Sequence, residues 1–192
     1  MAKEKKINTK EVIIVTVTLT LICLITTALL AIINNVTEGP IAENLIKAEN
    51  EARKSVVEQA SDFVAKQDGA YYEAVDESGN VIGYAASTSA KGYGGDVVVT
   101  TGFDAEGKIL KVVVVSADDE TPGLGANIKG DAFLDKFKGK SGELKLVTAS
   151  QATGADNEID AVTSATYSSV AVVEAVNEAS EIVKSAIGGD GQ

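Results

Sequence analysis

The run AYYEAVDESGNVIGYAASTSAKGYGGDVVVTTGFDAEGKILKVVVVS, residues 70–116, decides the fold class. It is rich in Val, Ile, Tyr and Thr, side chains that fit a pleated, half-buried surface. Three clusters interrupt it: Asp76-Glu-Ser-Gly-Asn80, Gly92-Tyr-Gly-Gly95 and Asp104-Ala-Glu-Gly107. All carry glycine, and two add Asp, which is turn chemistry. The stretch therefore predicts antiparallel strands over Ala70–Val75, Val81–Ser87, Asp96–Phe103 and Ile109–Ser116, joined by short turns.

Downstream, Asp131–Phe137 reads as a short helix and Leu144–Thr148 as a further strand. From about Ser164 to Ile187 the spacing turns helical. Val172, Val173, Val176, Ala179, Ile182, Val183 and Ala186 form one apolar stripe, and Gly188-Gly189 ends it. The predicted class is α+β, a twisted antiparallel sheet packed against helices.

Upstream the pattern changes. Val12–Ile33 is 22 residues without a charge. As a helix it spans roughly 33 Å, enough for a bilayer core. Lys3, Lys5, Lys6 and Lys10 all precede it, and the first charge after it is Glu38. The positive-inside rule then predicts a single-pass cell-membrane anchor with residues 1–11 cytoplasmic and the rest extracytoplasmic. A cleaved signal peptide is the competing reading, but the apolar run is long for one and offers only Ala28-Leu-Leu-Ala31 as a cleavage site. Cys23 follows Leu21-Ile22 rather than small residues, so it reads as an apolar filler and not a lipid attachment point. Asn34–Glu38 is a polar exit, and Pro40 suits the first turn of a new helix over Ile41 to about Phe63. The expected order is residues 1–11, an anchor over 12–33, a linking helix over 34–66 and a folded domain over 67–192.

The chain is 45% hydrophobic with a net charge of −11. Residues 1–33 hold four lysines against two glutamates, so residues 34–192 carry −13. Such a surface repels nucleic acid and anionic lipid. There is no histidine and one cysteine. That removes the commonest general base and leaves too few ligands for a zinc or iron–sulfur site. No catalytic residue and no metal ligand set is predicted; any redox chemistry must come from an organic cofactor.

Three segments are candidates for holding one, and each also has a purely structural reading. In Glu120-Thr-Pro-Gly-Leu-Gly125, Pro122 and Gly123 fit the centre of a type II turn over Thr121–Leu124. A tight loop of that kind also lets amides approach a planar ligand. In Gly92-Tyr-Gly-Gly95, Gly94 and Gly95 permit close backbone approach and Tyr93 offers a ring for stacking, or the segment is a plain turn. In Asp160-Ala-Val-Thr-Ser-Ala-Thr166, a hydroxyl serves as a helix cap. A cap needs one hydroxyl, however, and Thr163, Ser164, Thr166, Tyr167, Ser168 and Ser169 crowd this start. Free N–H groups and the positive end of the helix dipole there suit a phosphate.

Together the segments resemble the FMN-binding domain of the G subunit of Rnf, an ion-translocating ferredoxin:NAD oxidoreductase. They are also similar to the related C subunit of the sodium-pumping quinone reductase. The family motifs are D-x-x-[ST]-[GS]-A-T, E-T-P-G-L-G and G-Y-G-G, and the likeness covers nearly the whole chain. Thr-Ser-Ala-Thr stands where Ser-Gly-Ala-Thr is commoner, and Asp118 where many relatives have histidine.

The resemblance implies covalent FMN, joined through its phosphate to Thr166, with Thr163, Ser164 and Ala165 beside it. It implies that Glu120, Thr121, Pro122, Gly123, Leu124 and Gly125 lie against the flavin, near Tyr93, Gly94 and Gly95. A separate flavin transferase, using FAD and Mg²⁺, would attach the FMN, with Asp160 serving its recognition. The implied role is an electron carrier in a membrane redox complex with flavin-bearing and iron–sulfur subunits. Alternatives are a stand-alone flavinylated carrier, a quinone-reductase-type subunit with a longer soluble part, or an anchored binding module without cofactor.

Overall fold

The computed structural model describes residues 9–148 and 150–189, in two compact units, Met1–Asn44 and Leu45–Gln192. Lys3, Lys5 and Lys6, which carry the orientation argument, lie outside the described residues. Helix α1, Thr9–Val56, is the one described helix long and apolar enough to cross a membrane. Every residue from 12 to 33 is exposed. Within this run the Thr20 and Thr26 hydroxyls donate to the carbonyls of Thr16 and Ile22, at 2.8 and 2.7 Å. Such internal pairing is what a lipid surround requires of a polar side chain.

Two expectations about this region are corrected. First, α1 does not stop at the polar exit and restart at Pro40; it continues with Pro40 inside it. Proline costs a helix one i→i−4 hydrogen bond and crowds the carbonyl four residues back, but the further clash with the preceding residue's Cβ is absent here, because that residue is Gly39. Second, the helix predicted over 34–66 stops at Val56. Asp62–Lys66 is strand β1, paired antiparallel with strand β2, Tyr71–Val75, from Asp62↔Val75 to Lys66↔Tyr71. Val57 and Ala60 continue the helical spacing, but sheet pairing overrides it.

The sheet is a five-stranded antiparallel meander, β1-β2-β3-β4-β5, with β2 Tyr71–Val75, β3 Val81–Lys91, β4 Asp96–Asp104 and β5 Ile109–Ser116. The predicted turns join its strands. In the first of them the Asp76 carboxylate accepts from Ser78 N–H, Asn80 N–H and the Asn80 side-chain amide. These donors, the Asn80 side chain first, hold its carboxyl below the ordinary range. After β5 come a 3-10 turn at Gly125–Lys129, helix α2 at Asp131–Leu134 and another 3-10 turn at Asp135–Phe137. Strands β6, Lys145–Val147, and β7, Glu158–Asp160, pair parallel beside them. Helix α3, Thr166–Gly189, closes the chain.

Helix α3 covers one face of the sheet. Its Ala171, Val172, Ala175, Val176, Ala179 and Val183 pack with Ala86 of β3 and Val97, Val99 and Phe103 of β4. The small residues bring α3 close enough for the Thr88 hydroxyl to donate to Ala175 O at 2.7 Å. On the opposite face, Val56 and Val57 pack with Ala74 and Ala85. Gly102 makes that contact possible, since a Cβ there would fall 2.7 Å from Val56 Cβ.

Gly102→Val should therefore overpack the junction and lower the stability of the detergent-solubilised chain by about 1–3 kcal/mol. Gly188 has open space around it, so Gly188→Ala should change stability by less than about 1 kcal/mol. Equal thermal-unfolding midpoints for the two variants would refute this account of Gly102.

Candidate functional site

Two of the candidate segments and the helix that the third one opens meet at one side chain. Glu120, just beyond β5, is 3% exposed. Its Oε1 accepts from Tyr93 N–H at 2.7 Å and Gly94 N–H at 3.2 Å. Its Oε2 accepts from the Ser168 hydroxyl at 2.5 Å. One carboxylate thus fastens the β3–β4 loop and the first turn of α3 to the segment that follows β5.

This geometry gives the glycines a different purpose from the one the sequence suggested. A Cβ on Gly92 would meet the Glu120 carboxylate, and one on Gly95 would meet Asp119 Cβ at 2.9 Å. A Cβ on Gly94 would strike the Asp119 backbone, and one on Gly125 would lie 2.8 Å from Ser168 Oγ. These four glycines make room for Asp119, Glu120 and Ser168. Gly123 is a turn glycine: its φ is +77°, and Leu124 N–H donates to Thr121 O at 3.1 Å, the predicted type II turn.

The start of α3 departs from the expected cap. Ser169 N–H donates to Ala165 O at 2.9 Å, which makes Ala165 the cap residue, and it has no side-chain oxygen. The Ser169 hydroxyl accepts from Val162 N–H and donates to Ala165 O. Ser168 and Ser169 are thus buried fasteners, while Thr163, Ser164, Thr166 and Tyr167 are exposed. Among the described residues, the backbone N–H groups of Thr166, Tyr167 and Ser168 have no acceptor. Ahead of them, Ala165 N–H closes a turn onto Val162 O at 3.0 Å, with Ser164 at φ +62°. That is a left-handed position, which glycine tolerates and other residues adopt at a cost.

A cleft of about 260 Å³ opens above this junction, lined by Tyr93, Glu120, Thr121, Leu124, Gly125 and Ser164 through Ser168. Tyr93 and Tyr167 are 74% and 73% exposed, with ring centroids 6.5 Å apart, and Leu124 is 46% exposed. They are exposed, largely apolar side chains that line the cleft together with Thr166. Ser168 and Tyr167 belong to the cleft although the motifs alone did not single them out as site residues. Pro122, Gly123, Thr163, Gly94 and Gly95 shape it without lining it. Asp160 does not reach it: it ends β7, exposed, with its carboxylate 3.7 Å from Lys136 Nζ. Among the described residues, no three His, Cys, Asp or Glu side chains gather as metal ligands.

Comparison with known proteins follows these elements closely. The FMN-binding domain family matches residues 92–181, which hold all three segments, and the RnfG N-terminal region family matches residues 1–56. The G subunit of the proton-translocating ferredoxin:NAD(+) oxidoreductase complex of Clostridium ljungdahlii is 31% identical, over 98% of this chain and all of its own. The G subunit of the Na(+)-translocating complex of Acetobacterium woodii is 34% identical, over 91% of this chain and 93% of its own. The chain belongs to the RnfG family.

Two solved structures share the fold. NqrC of Shewanella oneidensis superposes with a TM-score of 0.50 at 19% identity, covering 68% of this chain and 74% of that one. The C subunit of the Na(+)-translocating NADH-quinone reductase from Parabacteroides distasonis gives 0.51 at 25% identity, over 59% and 60%. The expected α+β architecture, an apolar N-terminal helix before an antiparallel sheet packed with helices, is the one this chain has.

Two predictions follow from the junction. Glu120→Ala leaves three donors without their acceptor and should cost about 3 kcal/mol or more, at roughly 1.5–3 kcal/mol per bond to a charged group. Glu120→Gln keeps the Oε1 acceptor and can donate to Ser168, so about 1 kcal/mol is expected; equal losses in chemical denaturation would contradict the fastening role. At the turn, Ser164→Gly should gain about 0.5–1 kcal/mol by relieving the positive φ, and Ser164→Val should lose more than that. A destabilised glycine variant would show that Ser164 is not strained.

Proposed function

We propose that this chain carries FMN esterified through its phosphate to Thr166 Oγ1 and passes electrons within a membrane-bound ion-translocating ferredoxin:NAD oxidoreductase complex. The observation that carries the reading is an exposed Thr166 hydroxyl in a cleft lined by all three motif segments, beside three unpaired first-turn N–H groups. The residues fit the group. The free amides suit phosphate oxygens, and Tyr93, Tyr167 and Leu124 offer apolar surface to a planar ring. Bound there, FMN supplies the one- and two-electron chemistry that a chain with no histidine and one cysteine lacks.

The remaining roles belong to the chain itself. Thr166 is the tether, and Glu120 holds the cleft's three walls in register. The tether answers a physical need: residues 34–192 carry −13, a surface that does little to retain a phosphate, and noncovalent occupancy falls with free ligand concentration. Glu120, the carboxylate in the cleft, is already engaged by three donors. That leaves it no free base role, consistent with what the family resemblance implies: attachment by a separate flavin transferase, which transfers FMN from FAD and releases AMP. The anchor holds the folded unit at the membrane, on the extracytoplasmic side if the N-terminal lysines stay inside. Likeness along the chain favours the Rnf reading over the quinone reductase one. The two Rnf relatives are 31% and 34% identical over 98% and 91% of this chain, and the two quinone reductase structures 19% and 25% identical over 68% and 59% of it.

The test is a denaturing gel of the protein from its native host, viewed under ultraviolet light. A fluorescent band that survives boiling is expected, kept in Thr163→Ala and lost in Thr166→Ala. Fluorescence in Thr166→Ala would put the flavin elsewhere. Produced in a host without a flavin transferase, the chain should show the bare mass; an FMN adduct there would mean that it modifies itself.

A further inference from the structure

Glu120 is a fastener, and it is also a buried charge facing the cleft. Its partners are two backbone amides and one hydroxyl, all neutral. The described ion pairs lie elsewhere: Lys66–Glu73, Lys91–Asp96, Lys111–Glu58, Lys129–Asp118 and Lys136–Asp160. Its acidic neighbours differ in kind. Asp118 is paired with Lys129 at 3.1 Å, and both Asp118 and Asp119 are exposed to water and salt. Among the three consecutive acids, Glu120 alone is out of water, without a cation, and in the cleft wall.

We propose that the Glu120 carboxylate holds the reduction potential of the cleft's cofactor low; this rests on the reading that FMN occupies the cleft. Reduction adds negative charge to the ligand. A fixed negative charge in the wall opposes that addition, and burial keeps solvent from screening it. Charge placed near the ring is one of the few means a protein has to set a flavin potential. The neutral donors hold the carboxylate in place without cancelling its charge.

The experiment is a potentiometric titration of the flavin-loaded full chain in detergent, wild type beside Glu120→Gln, Ser168→Ala and Asp119→Asn. Glu120→Gln should shift the reduced-to-oxidised ratio at fixed solution potential at least tenfold toward reduced, about 30 mV for a two-electron couple. Ser168→Ala removes a donor but keeps the charge, and Asp119→Asn removes a screened one; each should shift the ratio less than threefold. A shift below threefold in Glu120→Gln overturns the proposal, as does an equal shift in Ser168→Ala, which would make loop geometry the cause. Should Glu120→Gln fail to fold or load, the double variant Glu120→Gln/Ser168→Ala decides. It keeps an amide oxygen for the Tyr93 and Gly94 N–H groups and removes the hydroxyl that the new amide would meet, so an unchanged potential overturns the proposal. Mass spectrometry of the same wild-type sample keeps the two claims apart. If no FMN is covalently bound, attachment at Thr166 fails, and the potentials are read with FMN added to the purified proteins; if none binds, both claims fall.

Discussion

A carboxylate shut away from water keeps its place only if donors surround it, and Glu120 takes its donors from two distant stretches of chain. Tyr93 and Gly94 offer backbone amides, and Ser168 offers a hydroxyl. Breaking either set leaves polar groups buried and unpaired, so the arrangement is cooperative. The β3–β4 loop, the segment after β5 and the start of α3 are consequently one unit. The cleft exists because that unit has a fixed shape, with Thr166 two residues before the serine that is tied down.

The same interaction explains a composition that sequence reading assigns to a ligand. Glycine beside a presumed binding loop invites the idea that backbone approaches a cofactor. Here Gly92, Gly94, Gly95 and Gly125 lack a Cβ because Asp119, Glu120 and Ser168 occupy the space. The glycines serve the fastener, and the fastener serves the cleft. What remains for a ligand is the part of the motifs that the protein does not use for itself: the hydroxyls of Thr121, Ser164 and Thr166, three amides and three exposed aromatic or apolar side chains.

How far the sequence was legible follows from the range of the forces involved. Strands β2 to β5 were readable because β-branched runs and turn chemistry are local, and the stripe of α3 because its burial is periodic. β1 was not readable: Asp-Phe-Val-Ala-Lys has weak alternation and follows helical spacing, and only its pairing with β2 makes it a strand. Pro40 misleads because proline normally ends a helix, whereas here α1 runs through it, with Gly39 removing one of the clashes. In the site, the motifs gave the participants through a family likeness, but the bond from Ser168 to Glu120 crosses 48 positions and leaves no periodic trace. Asp160 shows the opposite limit. It stands within the same motif as Thr166, yet the turn at Val162–Ala165 directs the two apart.

That turn links conformation to chemistry at Thr166. A serine at φ +62° is an uncommon choice where glycine would be unstrained. The turn sets the direction from which the chain enters α3, and Ala165 at the cap position supplies no oxygen of its own. A Ser, Asp or Asn there would have satisfied one of the first-turn amides internally. By leaving them open, the sequence forgoes about 1 kcal/mol of helix stability and keeps a neutral, directional set of donors next to Thr166. In a domain this acidic, open amides are a means of favouring an anion that does not call on lysine or arginine. An open helix start and a threonine at its first position are therefore two parts of the arrangement we propose for FMN: the first would orient a phosphate and the second would keep it from leaving.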